Sequence, residues 1–271
     1  MTILVTGGTG LVGARLLPRL ISAGLECRAL IRAGKAVPLG VAAVEGDLLD
    51  PASLREAVPG VDTIIHLAAV FRTRDTDAIW KANREGTANL IDAVRYHAPH
   101  ARFIMASTSH VYDADIPRPG REDDAVSPEH PYPASKVACE RNLRASGLNW
   151  SVLRFPFVYG DGDGHLSELP KHIASLKWHP AQRMSTIHHR DIAKVMKLAI
   201  SGAVDGRIIN VADDAPASIF ELVALGGGSM EPSSAPLTNP WHLQVDTSLA
   251  RSMGFAPTVR TVYQAAQELS L

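Results

Sequence analysis

A glycine-rich stretch near the amino end, TGGTGLVG (residues 6–13), constrains the fold more than any other part of this sequence. It directly follows Ile3–Thr6, a short aliphatic run that is typical of a buried strand. It also opens LVGARLLPRLISAG (11–24), where apolar residues recur at helical spacing and a glycine marks the end. The order strand, glycine loop, helix predicts a βα unit that binds a dinucleotide.

Each glycine of this loop has a separate role in such a unit. Gly7 permits a tight turn, Gly10 lets the backbone approach a pyrophosphate, and Gly13 allows the helix to pack close to the strand. The helix N-terminus supplies N–H donors and the positive end of a dipole. We therefore predict that Gly7, Gly10 and Gly13 bind the cofactor together with Leu11 and Val12, which lie between them.

Strand-like and helix-like segments alternate along the first 160 residues. The predicted strands are Ile3–Thr6, Cys27–Ile31, Thr63–Leu67, Phe103–Met105 and Ser151–Phe155. Helix-length segments separate them, so the sequence predicts an α/β fold: a doubly wound, Rossmann-type parallel sheet with helices on both faces. We expect residues 1–160 to form the cofactor-binding domain with the catalytic residues, and 161–271 a small substrate-binding lobe from which about 185–212 returns to the main domain.

Composition narrows the class of partner. The formal net charge is -1 and charged residues make up 20% of the chain, so there is no basic excess of the kind that binds nucleic acid or an anionic membrane surface. Cys27 and Cys139 lie far apart in apolar segments, which favours free thiols in a reducing compartment. No basic region precedes a hydrophobic run, and no stretch reaches 18 apolar residues, so we expect a cytoplasmic protein without membrane partners that acts on a small molecule.

The residue after the second predicted strand is expected to select between the two nicotinamide dinucleotides. An acid there bonds a 2′-hydroxyl, whereas an arginine accepts a 2′-phosphate. This chain has Arg32, with Arg28 and Lys35 adding positive charge nearby, so NADP is favoured over NAD. Asp47, together with Leu48, is predicted to contact the adenine; capping of the following helix is an equal alternative for Asp47.

YPASK (132–136) places Tyr132 and Lys136 four residues apart, on one face of a helix. The phenol has a pKa near 10, but a neighbouring ammonium and a cationic nicotinamide favour the phenolate. Tyr132 is then able to remove a hydroxyl proton as hydride leaves the same carbon, or to protonate an alkoxide in reverse. Lys136 is predicted to lower the pKa of Tyr132 and to bind the nicotinamide ribose.

Taken together, these motifs resemble the NAD-dependent epimerases and dehydratases of the extended short-chain dehydrogenase/reductase superfamily. The resemblance covers nearly the whole chain. It is carried by TGGTGLVG, YPASK, VDTIIHLAA (61–69), NREGTANL (83–90), STSHVY (107–112), LRFPFVYG (153–160), HHRDIA (188–193) and VDTSLARSMGFAP (245–257). It implies further cofactor contacts at the ends of the strands and beside the nicotinamide: Leu67, Ala68, Ala69, Asn83, Phe155 and Val158.

The same resemblance selects among the hydroxyls of STSHVY. In this family the catalytic Ser or Thr stands four residues before the tyrosine of the VY pair, which here gives Thr108 as the hydrogen-bond partner of the reacting oxygen. Ser107, on the other side of an extended chain, is then structural. Family dehydratases have Asp-Glu after the Thr; Ser109 and His110 replace them here, which disfavours elimination of water. His110 remains either an acid/base group or a residue that shapes the pocket.

The sequence leaves the substrate open. The histidines at 165, 172 and 179 repeat every seven residues, which is too far along a helix for one ion, so no metal site is expected. The first hypothesis is an NAD(P)-dependent oxidoreductase of the epimerase/dehydratase type for a sugar-like or sugar-nucleotide substrate. The alternatives are an NADPH-dependent carbonyl reductase for a small or apolar ketone, and an NAD(P)-sensing protein without turnover. The family resemblance makes a homodimer plausible.

Overall fold

The computed structural model describes residues 1–176 and 178–271. The strands are β1 (Thr2–Thr6), β2 (Glu26–Ile31), β3 (Ala42–Glu45), β4 (Thr63–His66), β5 (Arg102–Thr108), β6 (Asn149–Phe155), β7 (Phe157–Tyr159), β8 (Arg183–Met184), β9 (Thr186–His188), β10 (Arg207–Asn210) and β11 (Ala217–Ser218). The helices are α1 (Gly13–Ser22), α2 (Pro51–Ala57), α3 (Thr76–Trp80), α4 (Gly86–His97), α5 (Pro131–Ala145), α6 (His165–Leu176), α7 (His189–Ile200), α8 (Ile219–Leu225), α9 (Ser248–Ser252) and α10 (Val262–Gln267). A π-helical turn, Lys81–Glu85, joins α3 to α4, and a 3₁₀ turn, Ser109–Val111, follows β5.

A seven-stranded parallel sheet forms the centre of the molecule, in the order β10-β6-β5-β4-β1-β2-β3. The predicted doubly wound sheet is thus confirmed. The strand order reverses at β1, so β1 has β4 on one side and β2 on the other. In such sheets ligands bind beyond the carboxyl ends of the strands at the point of reversal, which is where the glycine loop lies. The edge strand β10 comes from the segment expected to return to the main domain.

Strand β3 was not among the predicted strands. Ala42–Glu45 is a four-residue edge strand with one neighbour, and its side chains are exposed or half-buried. Alanine and glutamate are poor strand formers, and an exposed edge strand has no apolar face to show in the sequence. Its pairing with β2 therefore has no local sequence signal.

Helices cover both faces of the sheet and build two apolar cores. On one face α1 packs with α7, and their buried residues include Leu16, Leu20, Val195 and Met196. On the other face α2, α4 and α5 pack side by side over residues such as Phe103. A third core lies in the carboxyl-terminal lobe, between α6, α8 and α10. In the described part of the chain, no helix combines the length and the apolar character needed to cross a bilayer.

The HHRD stretch (188–191) attaches this lobe to the main sheet. The buried His189 ring bonds Asp163 at 2.8 Å, and the Asp191 carboxylate accepts hydrogen bonds from the backbone N–H groups of Thr258 and Val259 at 2.6 and 2.9 Å. Arg190 pairs with Glu268 near the carboxyl end. These side chains serve the packing of the lobe, and among the described residues no cluster of three or more His, Cys, Asp or Glu is arranged to hold a metal ion.

Candidate active site

The glycine loop closes tightly against the end of the neighbouring strand. Gly7 has φ +72°, and a Cβ atom at this position would lie 2.6 Å from the backbone nitrogen of Ala68. A Cβ on Gly13 would lie 2.2 Å from the carbonyl oxygen of Gly7. Gly10 donates its N–H to that same carbonyl at 3.0 Å. Gly7 and Gly13 thus lie where a side chain has no room, while the predicted approach of Gly10 to a pyrophosphate stays a prediction.

Helix α1 offers its N-terminus to this loop. Within the described residues no side chain caps the helix at Val12, and its first turn contains no acid. The backbone N–H groups at Leu11 and Val12 therefore lie at a helix end with a positive dipole and without a competing carboxylate, an arrangement that binds phosphate groups. A cradle free of side chains, ending at an uncapped helix, fits the pyrophosphate of a nicotinamide dinucleotide.

The opposite wall of the loop is held by a buried histidine that the sequence reasoning did not assign. His66, the last residue of β4, is fully buried between the hydroxyls of Thr6 and Thr87, at 2.6 and 2.8 Å. Burial, followed by the nearby charge of Lys136, lowers the pKa of His66 to about 3, so the ring is neutral. It ties β1, β4 and α4 together directly below Leu67 to Ala69, which pass beside Gly7.

Asn83 lies in the π-helical turn and is almost completely buried. Its amide oxygen accepts from the backbone N–H of Val70 at 2.8 Å, and its amide nitrogen donates to the carbonyl of Val70 and to the hydroxyl of Ser135, both at 2.9 Å. Ser135 in turn donates to the carbonyl oxygen of Tyr132 at 2.7 Å. The side chain thus joins the segment after β4 to the start of α5, while its predicted contact with the cofactor stays a prediction.

The three predicted catalytic residues lie on two elements that pack together. Thr108 is the last residue of β5, and Tyr132 and Lys136 lie on successive turns of α5, which packs against β5 and the 3₁₀ turn. The Thr108 hydroxyl oxygen accepts the N–H of His110 at 3.2 Å, so its proton remains available for donation. The ring of Phe71, from the segment after β4, lies 5.6 Å from the ring of Tyr132 and leaves 44% of its own side chain exposed.

Burial decides the protonation of the tyrosine and lysine. The pKa of Tyr132 is raised to about 12, chiefly by burial and further by Cys139, and the pKa of Lys136 is lowered, chiefly by burial. The Lys136 ammonium is not among the causes of this shift, so the predicted lowering of the Tyr132 pKa by Lys136 is not seen in this arrangement. Tyr132 is protonated at neutral pH and placed to act as an acid.

Lys136 is 2% exposed, and no hydrogen bond or ion pair to its ammonium is found among the described residues. A buried ammonium without a partner is costly unless a ligand supplies acceptors. The predicted nicotinamide ribose, with two hydroxyls, supplies such acceptors, so the residues present fit a nicotinamide dinucleotide at both ends of the site.

His110 lines a cleft beside the end of β5. Residues 109–120 form one side of this cleft and 241–244, including Trp241 and His242, the other. The ring has access to solvent, yet the surrounding protein and then the neighbouring His242 and His130 lower the pKa of His110, so it is neutral at pH 7. The Ser109 hydroxyl is buried and, among the described residues, has no partner. The acid/base role of His110 stays a prediction.

The residue predicted to select between NADP and NAD, Arg32, is exposed at the carboxyl end of β2, adjacent to the glycine loop.

The structure differs from the predictions for two residues near Arg32: the charge expected from Arg28 and the helix cap offered as an alternative for Asp47. The guanidinium of Arg28 reaches the carbonyl of Pro59 at 3.4 Å, at the amino-terminal edge of the sheet, so it does not add charge beside Arg32. Asp50, not Asp47, caps α2. Asp47 is exposed next to Leu48 and accepts the N–H of Leu49 at 2.8 Å.

Phe155 and Val158 come from the last residues of β6 and from β7. Phe155 pairs in register with Thr108, and both apolar side chains are buried in the core that α1 and α7 form with the sheet. Their backbone therefore lies at the carboxyl ends of the strands, close to Thr108, the threonine predicted to be catalytic. Their predicted contact with the nicotinamide remains untested.

A doubly wound sheet, a glycine loop at its point of reversal and a tyrosine–lysine helix beside it define an enzyme of the short-chain dehydrogenase/reductase type. The model of the NAD-dependent epimerase/dehydratase family matches residues 3–212, and the chain belongs to that family. The predicted resemblance is thereby confirmed.

Individual relatives differ in substrate. The chain is 31% identical, over 83% of its length and 72% of the other's, to a 4-hydroxy-2-methyl-3-oxo-4-farnesyl-3,4-dihydroquinoline-1-oxide ketoreductase of Stigmatella aurantiaca. It is 28% identical, over 98% and 93% of the two lengths, to a dTDP-6-deoxy-L-talose 4-dehydrogenase (NAD(P)(+)) of Kitasatospora kifunensis. It spans only 47% of a ceramide reductase of Caulobacter vibrioides and 53% of a 2-alkyl-3-oxoalkanoate reductase of Stenotrophomonas maltophilia.

Among solved structures, MoeE5 in complex with UDP-glucuronic acid and NAD superposes with a TM-score of 0.82. The match covers 98% of this chain and 97% of MoeE5 at 24% sequence identity. This likeness establishes the shared fold.

Proposed function

We propose that this enzyme transfers a single hydride between NADP(H) and a carbonyl or secondary hydroxyl carbon, and that it runs as a ketone reductase. The observation that carries the proposal is the Lys136 side chain, 2% exposed and without a hydrogen bond or ion pair among the described residues, one helical turn from the half-buried Tyr132 and next to the strand end with Thr108. When bound, the nicotinamide supplies or accepts the hydride.

The chain's own residues would orient the cofactor and supply the proton. The glycine loop and the start of α1 hold the pyrophosphate, Lys136 bonds the ribose, and Arg32 faces the 2′-phosphate. Thr108 donates a hydrogen bond from its free hydroxyl to the carbonyl oxygen and orients it. Tyr132, with a pKa raised to about 12 by burial, gives its proton to the same oxygen as negative charge develops there.

The residues that follow Thr108 argue against elimination. A dehydration needs a second acid or base that acts at a neighbouring carbon, and the two positions hold the hydroxyl of Ser109 and the neutral ring of His110. Neither is a carboxylic acid. A reaction that adds one hydride to a carbonyl carbon and one proton to its oxygen needs only the groups of Thr108, Tyr132 and Lys136.

An apolar ketone is the substrate class that the site favours. Phe71 and Trp241 expose 44% and 42% of their side chains on two segments beside the catalytic residues. Exposed aromatic side chains beside a site favour apolar ligands; Trp241 lines the cleft of His110, and Phe71 packs against Tyr132. The relative from Stigmatella, by its name, reduces a ketone that carries a farnesyl chain. A sugar nucleotide is the second candidate, because a relative matched over 93% of its length is named for a dTDP-sugar.

The deciding experiment is a steady-state assay of the purified chain with NADPH and with NADH. The panel contains medium-chain 3-oxoesters, a steroid ketone and keto-sugar nucleotides, and UDP-glucose is tested for epimerisation. We expect NADPH to be consumed in equal amount to an apolar ketone. Isomerisation of a nucleotide sugar without net consumption of cofactor would support an epimerase instead, and cofactor binding without turnover of any compound would support a sensor.

Arg32 tests the proposed preference for NADP. Replacing Arg32 by aspartate is expected to reverse the preference toward NAD, with a change of about 100-fold in the ratio of the two kcat/KM values, since an acid repels the 2′-phosphate and bonds the 2′-hydroxyl. The matched control is Arg28→Asp. It makes the same charge change four residues earlier, on β2, where the side chain lies at the amino-terminal end of the strands. Equal shifts in both variants would show that the selector lies elsewhere.

A further inference from the structure

The carboxylate of Glu140 links two elements: strand β5, which carries Thr108, and helix α5, which carries Tyr132 and Lys136. The Ser107 hydroxyl, directly before Thr108 on β5, donates to Oε1 of Glu140 at 2.5 Å. Glu140 lies on α5 one turn beyond Lys136, so its side chain shares a helix face with the catalytic pair. The two elements that form the catalytic site thus meet at one buried carboxylate.

Arg154 fixes that carboxylate from the next strand. Its Nε donates to Oε1 of Glu140 at 3.1 Å and its Nη2 to Oε2 at 2.7 Å, a two-pronged pair in which the side chains are only 2% and 3% exposed. Arg154 on β6 pairs in register with Ser107 on β5. With both oxygens held, the carboxylate has one orientation available.

The same guanidinium also holds the chain after Thr108. Its Nη1 donates to the hydroxyl of Tyr112 at 2.8 Å, and that hydroxyl donates to Oδ1 of Asn210 at 2.7 Å. Ser107 and Tyr112 flank the segment that contains Thr108 and His110. One ion pair therefore anchors the catalytic segment on both sides.

Stability alone gives a weak reason for this arrangement. Buried ion pairs cost much of their Coulomb attraction in desolvation, and apolar replacements are often neutral or stabilising. The charge of Glu140 also acts on Lys136, where it opposes the lowering of the lysine pKa by burial. The pair thus serves the catalytic groups in two ways, through geometry and through charge.

We propose that Glu140, held by Arg154, is a positioning residue that sets the placement of Thr108 relative to Tyr132 and Lys136, and that Ser107 transmits this constraint to the strand. The catalytic part of the proposal rests on the proposed function; the ordering of the segment 107–112 does not.

The test removes one hydrogen bond and leaves the ion pair intact. In Ser107→Ala, kcat for the ketone is expected to fall about 10- to 100-fold while KM and the cofactor Kd stay within about twofold, since a small displacement of a catalytic group affects mainly the chemical step. Ser151→Ala is the matched control, because Ser151 is a fully buried serine on the adjacent strand whose hydroxyl has no partner among the described residues.

A second measurement does not depend on turnover. Hydrogen exchange of the backbone amides of residues 108–112, followed by mass spectrometry, is expected to speed up about tenfold or more in Ser107→Ala and to remain unchanged in Ser151→Ala. Unchanged exchange in Ser107→Ala would overturn the proposal. A kcat within twofold of the wild-type value, with faster exchange, would overturn its catalytic part. If the wild-type chain reduces no ketone, the proposed function fails, and the exchange result still decides whether Glu140 orders the segment.

Discussion

Replacing Tyr132 by phenylalanine is expected to lower kcat for ketone reduction by about 10³-fold and to change the cofactor Kd by less than about twofold. The substitution removes only the phenolic hydroxyl. The ring packing against Phe71, at 5.6 Å between centroids, and the hydrogen bond from Ser135 to the backbone carbonyl of Tyr132 are both retained. The loss therefore falls on proton transfer to the developing alkoxide.

The pH dependence of the wild-type enzyme provides a second readout. Because the pKa of Tyr132 is raised to about 12, the phenol is protonated across pH 6–10 and its supply of protons for reduction is constant there. The reverse reaction needs the phenolate, so alcohol oxidation is expected to rise as the pH increases through this range. Stopped-flow measurement of NADPH formation tests this rise, which the phenylalanine variant is expected to lack.

Tyr96→Phe is the matched control for this prediction. Tyr96 is 83% exposed on α4, so the same chemical change is made at a solvent-exposed position outside the proposed site. Its kcat should stay within about twofold of wild type. A Tyr132→Phe variant that keeps a tenth or more of the wild-type kcat would assign the proton donor to another group, with His110 the next to test.

The features of this site that can be predicted from the sequence are those that depend on residues close together in the chain. The glycine loop is local: its turn, close approach and helix start are properties of eight adjacent residues. The pairing of Tyr132 with Lys136 is local as well, because helical spacing alone places them on one face. The Rossmann-type fold follows from the alternation of strands and helices, and it is confirmed.

The predictions that the structure does not bear out depend on contacts between residues far apart in the sequence. The pKa of Tyr132 depends on how completely distant segments, including the one that carries Phe71, exclude water from the phenol, and the spacing of YPASK contains no such information. Arg28 was expected to add positive charge near Arg32, but its long side chain extends toward Pro59 at the amino-terminal end of the strands. Strand β3 has no apolar alternation, so only its pairing with β2 identifies it.

The ion pair of Glu140 and Arg154 was not predicted, although the sequence indicates that each residue needs a partner. Arg154 is a charged residue inside the apolar run SVLRFPFVYG, and a charge on a buried strand requires a partner. Glu140 follows Lys136 at helical spacing and lies in an otherwise apolar turn. The sequence shows that each needs a partner, but only the packing of α5 against β5 and β6 shows that they are partners of each other.

Replacing Gly7 by alanine is expected to raise the cofactor Kd by about 100-fold, equivalent to about 2.7 kcal/mol of binding free energy. Two separate costs arise at this position. The residue adopts φ +72°, which an alanine tolerates at about 1–2 kcal/mol, and the new Cβ atom would lie 2.6 Å from the backbone nitrogen of Ala68. A backbone atom cannot swing aside as a side chain does. The loop and the segment Leu67–Ala69 must separate, and this widens the cradle that holds the pyrophosphate.

Gly24→Ala separates these two costs. Gly24 has φ +77° and, on the residues described, nothing lies within 4 Å of where its Cβ would be, so alanine there carries the same backbone strain without a clash. Gly24→Ala is expected to lose about 1–2 kcal/mol of unfolding free energy from strain, and Gly7→Ala that amount plus the cost of the clash, measured by urea denaturation. Only Gly7→Ala should weaken NADPH binding, measured by isothermal titration. If the Kd of Gly7→Ala stays within threefold of that of Gly24→Ala, the close approach of Gly7 to Ala68 does not shape the binding site, and the pyrophosphate must then depend mainly on the helix end at Leu11 and Val12.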